Sequence, residues 1–282
     1  MKEPLLSDDE FLASVRDARA ERDALHVWWL GQSGFLLQCD GVHLLLDPYL
    51  SDSLTEKYAA TDKPHVRMMR RVIAPERLDF IDVVTSSHNH TDHLDPETLQ
   101  PLFAENPNLQ IVAPQTNRIE VAVRAGIDPH DVVGVNDGKT VEAQGIRFTG
   151  IPAAHNTIER DAQGRCKYLG YVIEFGPWRI YHSGDTLVYD DLAEKVRAHG
   201  PIDLALLPIN GDKPERRVAG NMNGAQAAAL AKEIGAKIVV PCHYDMFEFN
   251  TASPDVFVNE CERIGQAYCV LGVGDKLELK ST

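Results

Sequence analysis

The chain has 282 residues, 44 % hydrophobic and 25 % charged, the balance of a globular protein able to bury a sizeable core. Its formal net charge of −14 at pH 7 argues against nucleic acid or an anionic membrane surface as a partner. No apolar run approaches a membrane span, and Met1-Lys2-Glu3-Pro4 opens no apolar signal core, so export is not expected. In chain order, Ser7-Asp8-Asp9-Glu10 reads as a capping box that opens a helix over about 7–25, with Phe11, Leu12 and Val15 on one face. Apolar strands follow at 26–30, 35–39 and 42–46, and Asp40-Gly41 joins the last two as a hairpin turn. Residues 51–75 are polar and aperiodic, which predicts a long pocket loop with a short helix near Met68 and Met69. A buried strand is expected at 80–85, then a helix from about 96 to 104, with Asp95 as N-cap and Pro96 at its first position. A strand at 109–113 and a helix at 115–125 precede a strand-rich stretch, 131–181, broken by Gly138, Gly145 and a polar loop at 156–167. The last third alternates: helix 187–198, strand 203–207, helix 224–234, strand 237–241, helix 254–264 and closing strands. This order predicts a layered α/β arrangement in one domain spanning 1–282, without a long linker or internal repeats.

Five cysteines occur, at 39, 166, 242, 261 and 269. The number is odd and no C-x-x-C pair appears, so reduced thiols and a cytoplasmic location are expected. Cys242 adjoins His243, but neighbours along a strand face opposite ways, so Cys242 reads as a core residue.

His88-Asn89-His90-Thr91-Asp92-His93 places four potential metal ligands within six residues, in the turn between a strand and a helix. Imidazole and carboxylate together suit zinc, manganese or iron(II). Three later strands also end on such groups. They deliver His155 in Ile151-Pro152-Ala153-Ala154-His155, Asp185 in Tyr181-His182-Ser183-Gly184-Asp185-Thr186, and His243 in Pro241-Cys242-His243-Tyr244-Asp245. Singly, each is as readily an ordinary hydrogen-bonded side chain. Together with the first motif they make seven potential ligands, enough for two metal ions.

The order H-x-H-x-D-H, then His, Asp and His resembles the metallo-β-lactamase superfamily over nearly the whole chain. The resemblance implies an αββα sandwich with metals at one edge between its two mixed sheets. It implies that His88, His90 and His155 hold one metal, that Asp92, His93 and His243 hold the other, and that Asp185 bridges them. Asp47, in Leu44-Leu45-Leu46-Asp47-Pro48, would then orient a ligand from behind. Asp185 stands where many β-lactamases of the superfamily carry cysteine, which is more like its lactonase, glyoxalase II and phosphodiesterase branches. His90 stands where flavodiiron oxidoreductases carry glutamate. Trp28-Trp29-Leu30-Gly31-Gln32-Ser33-Gly34-Phe35, Tyr181-His182-Ser183-Gly184-Asp185 and Pro241-Cys242-His243-Tyr244-Asp245-Met246-Phe247 resemble the L-ascorbate-6-phosphate lactonase (UlaG-like) group. Leu207-Pro208-Ile209-Asn210-Gly211 with Arg216-Arg217 is similar to that group too, and to N-acylphosphatidylethanolamine phospholipase D enzymes. The stretches 51–75 and 153–157 depart from the lactonase pattern.

The implied activity is metal-dependent hydrolysis with two divalent ions, zinc or manganese, iron being the further candidate. A metal-bridging hydroxide would attack a carbonyl or phosphorus centre, with Asp92 and Asp185 as its catalytic carboxylates. Arg70, Arg71, Arg216 and Arg217 are candidates for a substrate phosphate. His182 is a candidate substrate contact, and Tyr244 or Asp245 a candidate proton donor. The expected substrate is a small anionic molecule, first a sugar lactone or phosphorylated sugar lactone, then a phosphodiester. A mononuclear iron dioxygenase and a non-catalytic metal-binding protein rank behind these. The resemblance also suggests a homo-oligomer.

Overall fold

Continuous apolar runs, rather than alternation, mark strands covered on both faces, and the first three strands here are of that kind. The computed structural model describes residues 1–280. Helix α1 (Asp8–Ala18) turns Phe11, Val15 and Ala18 inward and leads into β1 (Ala24–Gly31), β2 (Gly34–Cys39) and β3 (Val42–Leu46). Every residue of β1 and β2 is buried. Trp28 donates its indole N–H to Ser14 Oγ (3.0 Å) and meets Phe11 edge-on, which seats α1 on β1.

Three expectations fail in this region. The first helix stops at Ala18, not near residue 25, because Ala24 and Leu25 pair with Lys280 and Leu279 in the sheet. Ser7 makes no side-chain capping bond. In the pocket loop the helix is α2 (Ser53–Tyr58), while Met69 lies in an extended bridge with Lys2 and Arg67 in one with Phe247. Burial of Met69 and the bonds of the Arg67 guanidinium, rather than helical periodicity, fix that stretch.

The chain continues through β4 (Val83–Thr85), α3 (Pro96–Glu105), β5 (Gln110–Pro114), α4 (Arg118–Ala125), β6 (Val132–Val135), β7 (Thr140–Ala143) and β8 (Ile146–Pro152). Then come β9 (Leu169–Phe175), β10 (Trp178–His182), α5 (Leu192–Arg197), β11 (Leu204–Pro208), α6 (Gly224–Glu233), β12 (Ile238–Cys242), α7 (Asp255–Ile264) and β13 (Lys276–Lys280). Helix α5 begins five residues later than expected because Leu187 bridges Ala154. Asn223 and Gln226 cap α6 reciprocally.

One sheet runs β13-β1-β2-β3-β4-β5-β6 and the other β12-β11-β10-β9-β8-β7. Both are mixed. In each, an antiparallel meander passes into parallel strands, at β3–β4 in the first and β10–β11 in the second. Helix α4 packs on β5 and β6, and α6 on β11 and β12, so helices flank the sheets in an αββα order. The pairings make β1, β3 and β4 parallel to one another, and likewise β8, β10 and β12. The loops that follow these six strands therefore leave each sheet at a single edge, the usual place for a site in an α/β sheet.

Candidate metal centre

Each loop at that edge contributes one or more polar side chains. Asp47 follows β3, residues 88–93 follow β4, His155 follows β8, Asp185 follows β10 and His243 follows β12. Their donor atoms meet. His88, His90 and His155 place one donor atom each within 4.8 Å of one another; so do His88, His93 and Asp185, and so do Asp92, His93 and His243, the aspartates through a carboxylate oxygen. Asp185 lies between the groups, with Oδ1 3.4 Å from His93 Nε2 and Oδ2 3.2 Å from His243 Nε2 and 3.9 Å from His155 Nε2.

Local backbone makes this convergence possible. Gly184 has φ +58°, and a Cβ there would sit 2.7 Å from Ser87 Cβ and 2.9 Å from the Leu169 carbonyl. Only glycine lets the Asp185 turn press against the histidine loop. Gln32, Asp47 and His243 also adopt positive φ (51°, 37° and 60°), strain of the kind that collects at functional sites.

The ligand loop is braced from behind. Asp47 Oδ1 accepts from Thr85 Oγ1 (2.9 Å) and the Ser87 N–H (3.0 Å). Its Oδ2 accepts from Ser87 Oγ and lies 2.8 Å from His93 Nδ1. That contact fixes the His93 tautomer and turns Nε2 toward the centre. His155 is oriented likewise by the Gly220 carbonyl, 3.1 Å from Nδ1.

Electrostatics divides the cluster. Burial lowers the pKa of His88 far below the ordinary histidine value, and crowding by His93, His90 and His155 adds to this. Burial also lowers His90 and His155. Burial opposes charge on His93 too, yet Asp185, Asp92 and the bond to Asp47 outweigh it and hold its pKa well up. Asp185 is held well below the usual carboxylate range because His243 and His93 overcome its burial. Three neutral imidazoles beside a carboxylate-rich group form a donor set ready for divalent cations. The unpartnered atoms agree. His88 Nε2, His93 Nε2 and Asp185 Oδ1 are buried and bond no described residue. Such atoms carry a substantial desolvation cost, which a bound cation would relieve.

A cavity of about 440 Å³ opens over the centre, and His90, Asp92, His155, Asp185 and His243 line it. Several expected substrate contacts lie elsewhere. Arg216 is buried and spends its guanidinium on the Asn210 and Thr251 carbonyls and on Asn250 Oδ1. Arg217 is exposed and paired with Asp62 (2.7 Å). Arg70 and Arg71 reach Glu3 and the Leu50 carbonyl. His182 is buried, with Nε2 3.3 Å from the Ser33 carbonyl. Tyr244 is buried with its hydroxyl on the Leu271 carbonyl, and Asp245 pairs with Lys2. None of these lines the cavity.

Other residues do line or support it, and sequence reasoning gave them no role. Gln32 donates to Asp92 Oδ2 (2.7 Å), and its backbone carbonyl accepts from the His243 N–H (2.9 Å). Its signal was a long side chain at a turn position that favours glycine or asparagine. Lys57, Tyr58, His65 and Arg124 line the walls. They come from the loop and helices whose sequence carries no ligand motif.

A family model described as a β-lactamase superfamily domain matches residues 43–244. With the two-sheet fold and the histidine–aspartate edge, this shows that the chain belongs to the metallo-β-lactamase superfamily. Within it, several relatives are named UPF0173 metal-dependent hydrolases. The UPF0173 metal-dependent hydrolase of Thermococcus onnurineus is 32 % identical over 233 residues, covering 82 % of this chain and 89 % of that protein. The protein of that name from Rubrobacter xylanophilus is 30 % identical over 254 residues, covering 85 % and 89 %. Among solved structures, Igni18, a metallo hydrolase from Ignicoccus hospitalis, superposes with a TM-score of 0.66 at 22 % identity, covering 92 % of this chain and all of that one. YhfI from Bacillus subtilis, a metallo-β-lactamase fold protein, gives 0.65 at 20 %, covering 91 % and 99 %. Both share the fold.

Proposed function

We propose that this protein is a metal-dependent hydrolase that opens a lactone or cleaves a small carboxylic ester. The observation that carries the proposal is the meeting of seven His and Asp side chains, five of which line one cavity, with three of their donor atoms buried and unpartnered. His88, His90 and His155 would hold one divalent ion, and Asp92, His93 and His243 a second, with Asp185 serving both. Zinc and manganese suit this donor set, and iron is compatible with it. Such ions, when bound, make water nucleophilic at neutral pH and polarise the substrate's oxygen. Gln32 donates to Asp92 Oδ2 (2.7 Å) and so would orient that carboxylate as a ligand. Asp47 holds His93 in register.

The cavity volume suits a small molecule. Tyr58, Phe247 and Phe249 line one part of the cavity, apolar surface compatible with a lactone or a sugar ring. Arg216 and Arg217, the expected phosphate anchors, are engaged elsewhere, which favours a lactone over a phosphodiester. Lys57 on the wall is compatible with an anionic substrate, whereas Arg124 is held by Glu120 and the Leu94 carbonyl. The acidic surface and five unpaired cysteines support a cytoplasmic enzyme with a small-molecule partner.

Acid release in a pH-stat at about pH 8 tests this directly, since hydrolysis of an ester or diester frees a proton. Zinc- and manganese-loaded protein is given sugar lactones, their phosphates and simple phosphodiesters, with His90→Ala as blank. Turnover of lactones alone supports the proposal. Turnover of diesters alone replaces it with a phosphodiesterase. Silence throughout removes hydrolysis and leaves oxygen uptake by the iron-loaded protein to be measured.

A further inference from the structure

One wall of the cavity is built around a histidine that no motif contains. His65 lies in the loop after α2 and lines the cavity with His90, Asp92 and Asp185. Three aromatic rings grip its imidazole. Tyr58 stacks on it at 4.2 Å between centroids, and Phe249 and Phe247 meet it edge-on at 4.4 and 5.2 Å. Such packing leaves the ring little freedom. Nδ1 lies 3.1 Å from the Lys63 carbonyl. A carbonyl only accepts, so Nδ1 carries the hydrogen and Nε2 keeps its lone pair. Nε2 bonds no described residue.

We infer that His65 is the proton-transfer residue of this site, passing a proton between the attacking water and the departing oxygen. This inference rests on the hydrolase reading above. Burial lowers the His65 pKa, and Lys63 and Lys57 push the same way, while Asp92 and the bond to Lys63 pull it back. The ring is therefore neutral at neutral pH and able to accept a proton. The balance is simple. Water's oxygen bonds to the carbonyl carbon, and the proton it loses goes to Nε2. The carbon–oxygen bond to the alcohol then breaks, and the departing oxygen takes that proton. Tyr244 and Asp245, the donors expected from sequence, are turned to other partners.

A poor leaving group needs that proton, and a good one does not. The test compares an alkyl ester with its nitrophenyl counterpart in wild type, His65→Gln and His65→Phe, the last preserving the aromatic packing. Metal content per chain is measured for each. The inference predicts that the ratio of alkyl to nitrophenyl turnover falls about 100-fold in both variants at unchanged metal content. An unchanged ratio in His65→Phe overturns it and leaves His65 a wall residue. If wild type cleaves neither ester nor any lactone, the hydrolase reading fails first and this inference with it. A second readout needs no turnover. In metal-free protein at pH 7.5, the ¹⁵N imidazole signals lost in His65→Gln should show a protonated Nδ1 and a bare Nε2. The opposite tautomer overturns the assignment.

Discussion

Asp47 has no exposed surface and uses both carboxylate oxygens to brace the ligand loop, one on Thr85 and Ser87, the other on Ser87 and His93. Asp47→Asn keeps the shape but weakens the acceptor behind His93. Metal affinity should fall about 10- to 100-fold, read by titrating zinc against a competing chelator; an unchanged affinity would mean His93 needs no orienting partner. At Gly184 a methyl group would meet the Leu169 carbonyl and Ser87 Cβ at a positive φ. Gly184→Ala should cost about 1–3 kcal/mol by urea unfolding of the metal-free protein, and a neutral result would show the turn to be slack. At this scale the sequence was legible where a side chain follows a strand. His155, Asp185 and His243 each end one, and each reaches the centre. It was illegible where a long side chain chooses among many partners. Nothing local distinguishes Arg216, spent on backbone carbonyls, from an arginine that faces a substrate. Nothing local marks His65 as lining the same cavity as the ligands from a different loop.

At the scale of elements, the pocket loop is anchored by one buried guanidinium. Arg67 donates Nε to the Met69 carbonyl (2.8 Å) and Nη1 to Asp52 (3.1 Å) and the Ser51 carbonyl, and it lies over the Tyr49 ring. Arg67→Met would strand these acceptors, at a cost of about 2 kcal/mol or more. Limited proteolysis should then cut first within 59–66; cleavage elsewhere at the wild-type rate would contradict the anchor. This loop is where the expected elements failed, since its order comes from distant partners and not from a local period. Strand β1 carries a pH dependence. Burial, aided by Lys276, lowers the pKa of His26 against the pull of Glu21 and Glu278. The unfolded chain takes up this proton near pH 6.5, and the folded chain only at lower pH. The stability contributed is therefore complete above about pH 6.5 and is lost as pH falls toward the lowered value. The urea midpoint should drop less between pH 7.5 and 5.5 in His26→Gln than in wild type. Equal drops would place the acid sensitivity elsewhere.

At the scale of the molecule, two mixed sheets present six loops at a common edge, and the histidine–aspartate cluster joins them. The apolar runs and turn residues made a layered α/β arrangement legible, and the two-sheet sandwich with its ligand edge followed from the resemblance carried by the His–Asp order. The substrate was not legible, because the walls that choose it come from loops without periodicity. The cluster is also a cross-link in waiting. Cation binding would tie the loops of both sheets together, so chelation should lower the melting temperature of the loaded protein by several degrees. The most direct measurement adds zinc or manganese stepwise to metal-free protein and follows bound metal and acid release from a lactone in the same samples. The account predicts that turnover rises in proportion to bound metal, and that Asp185→Asn stays folded while losing both tight binding and turnover. Full turnover without metal, or in Asp185→Asn, would contradict it.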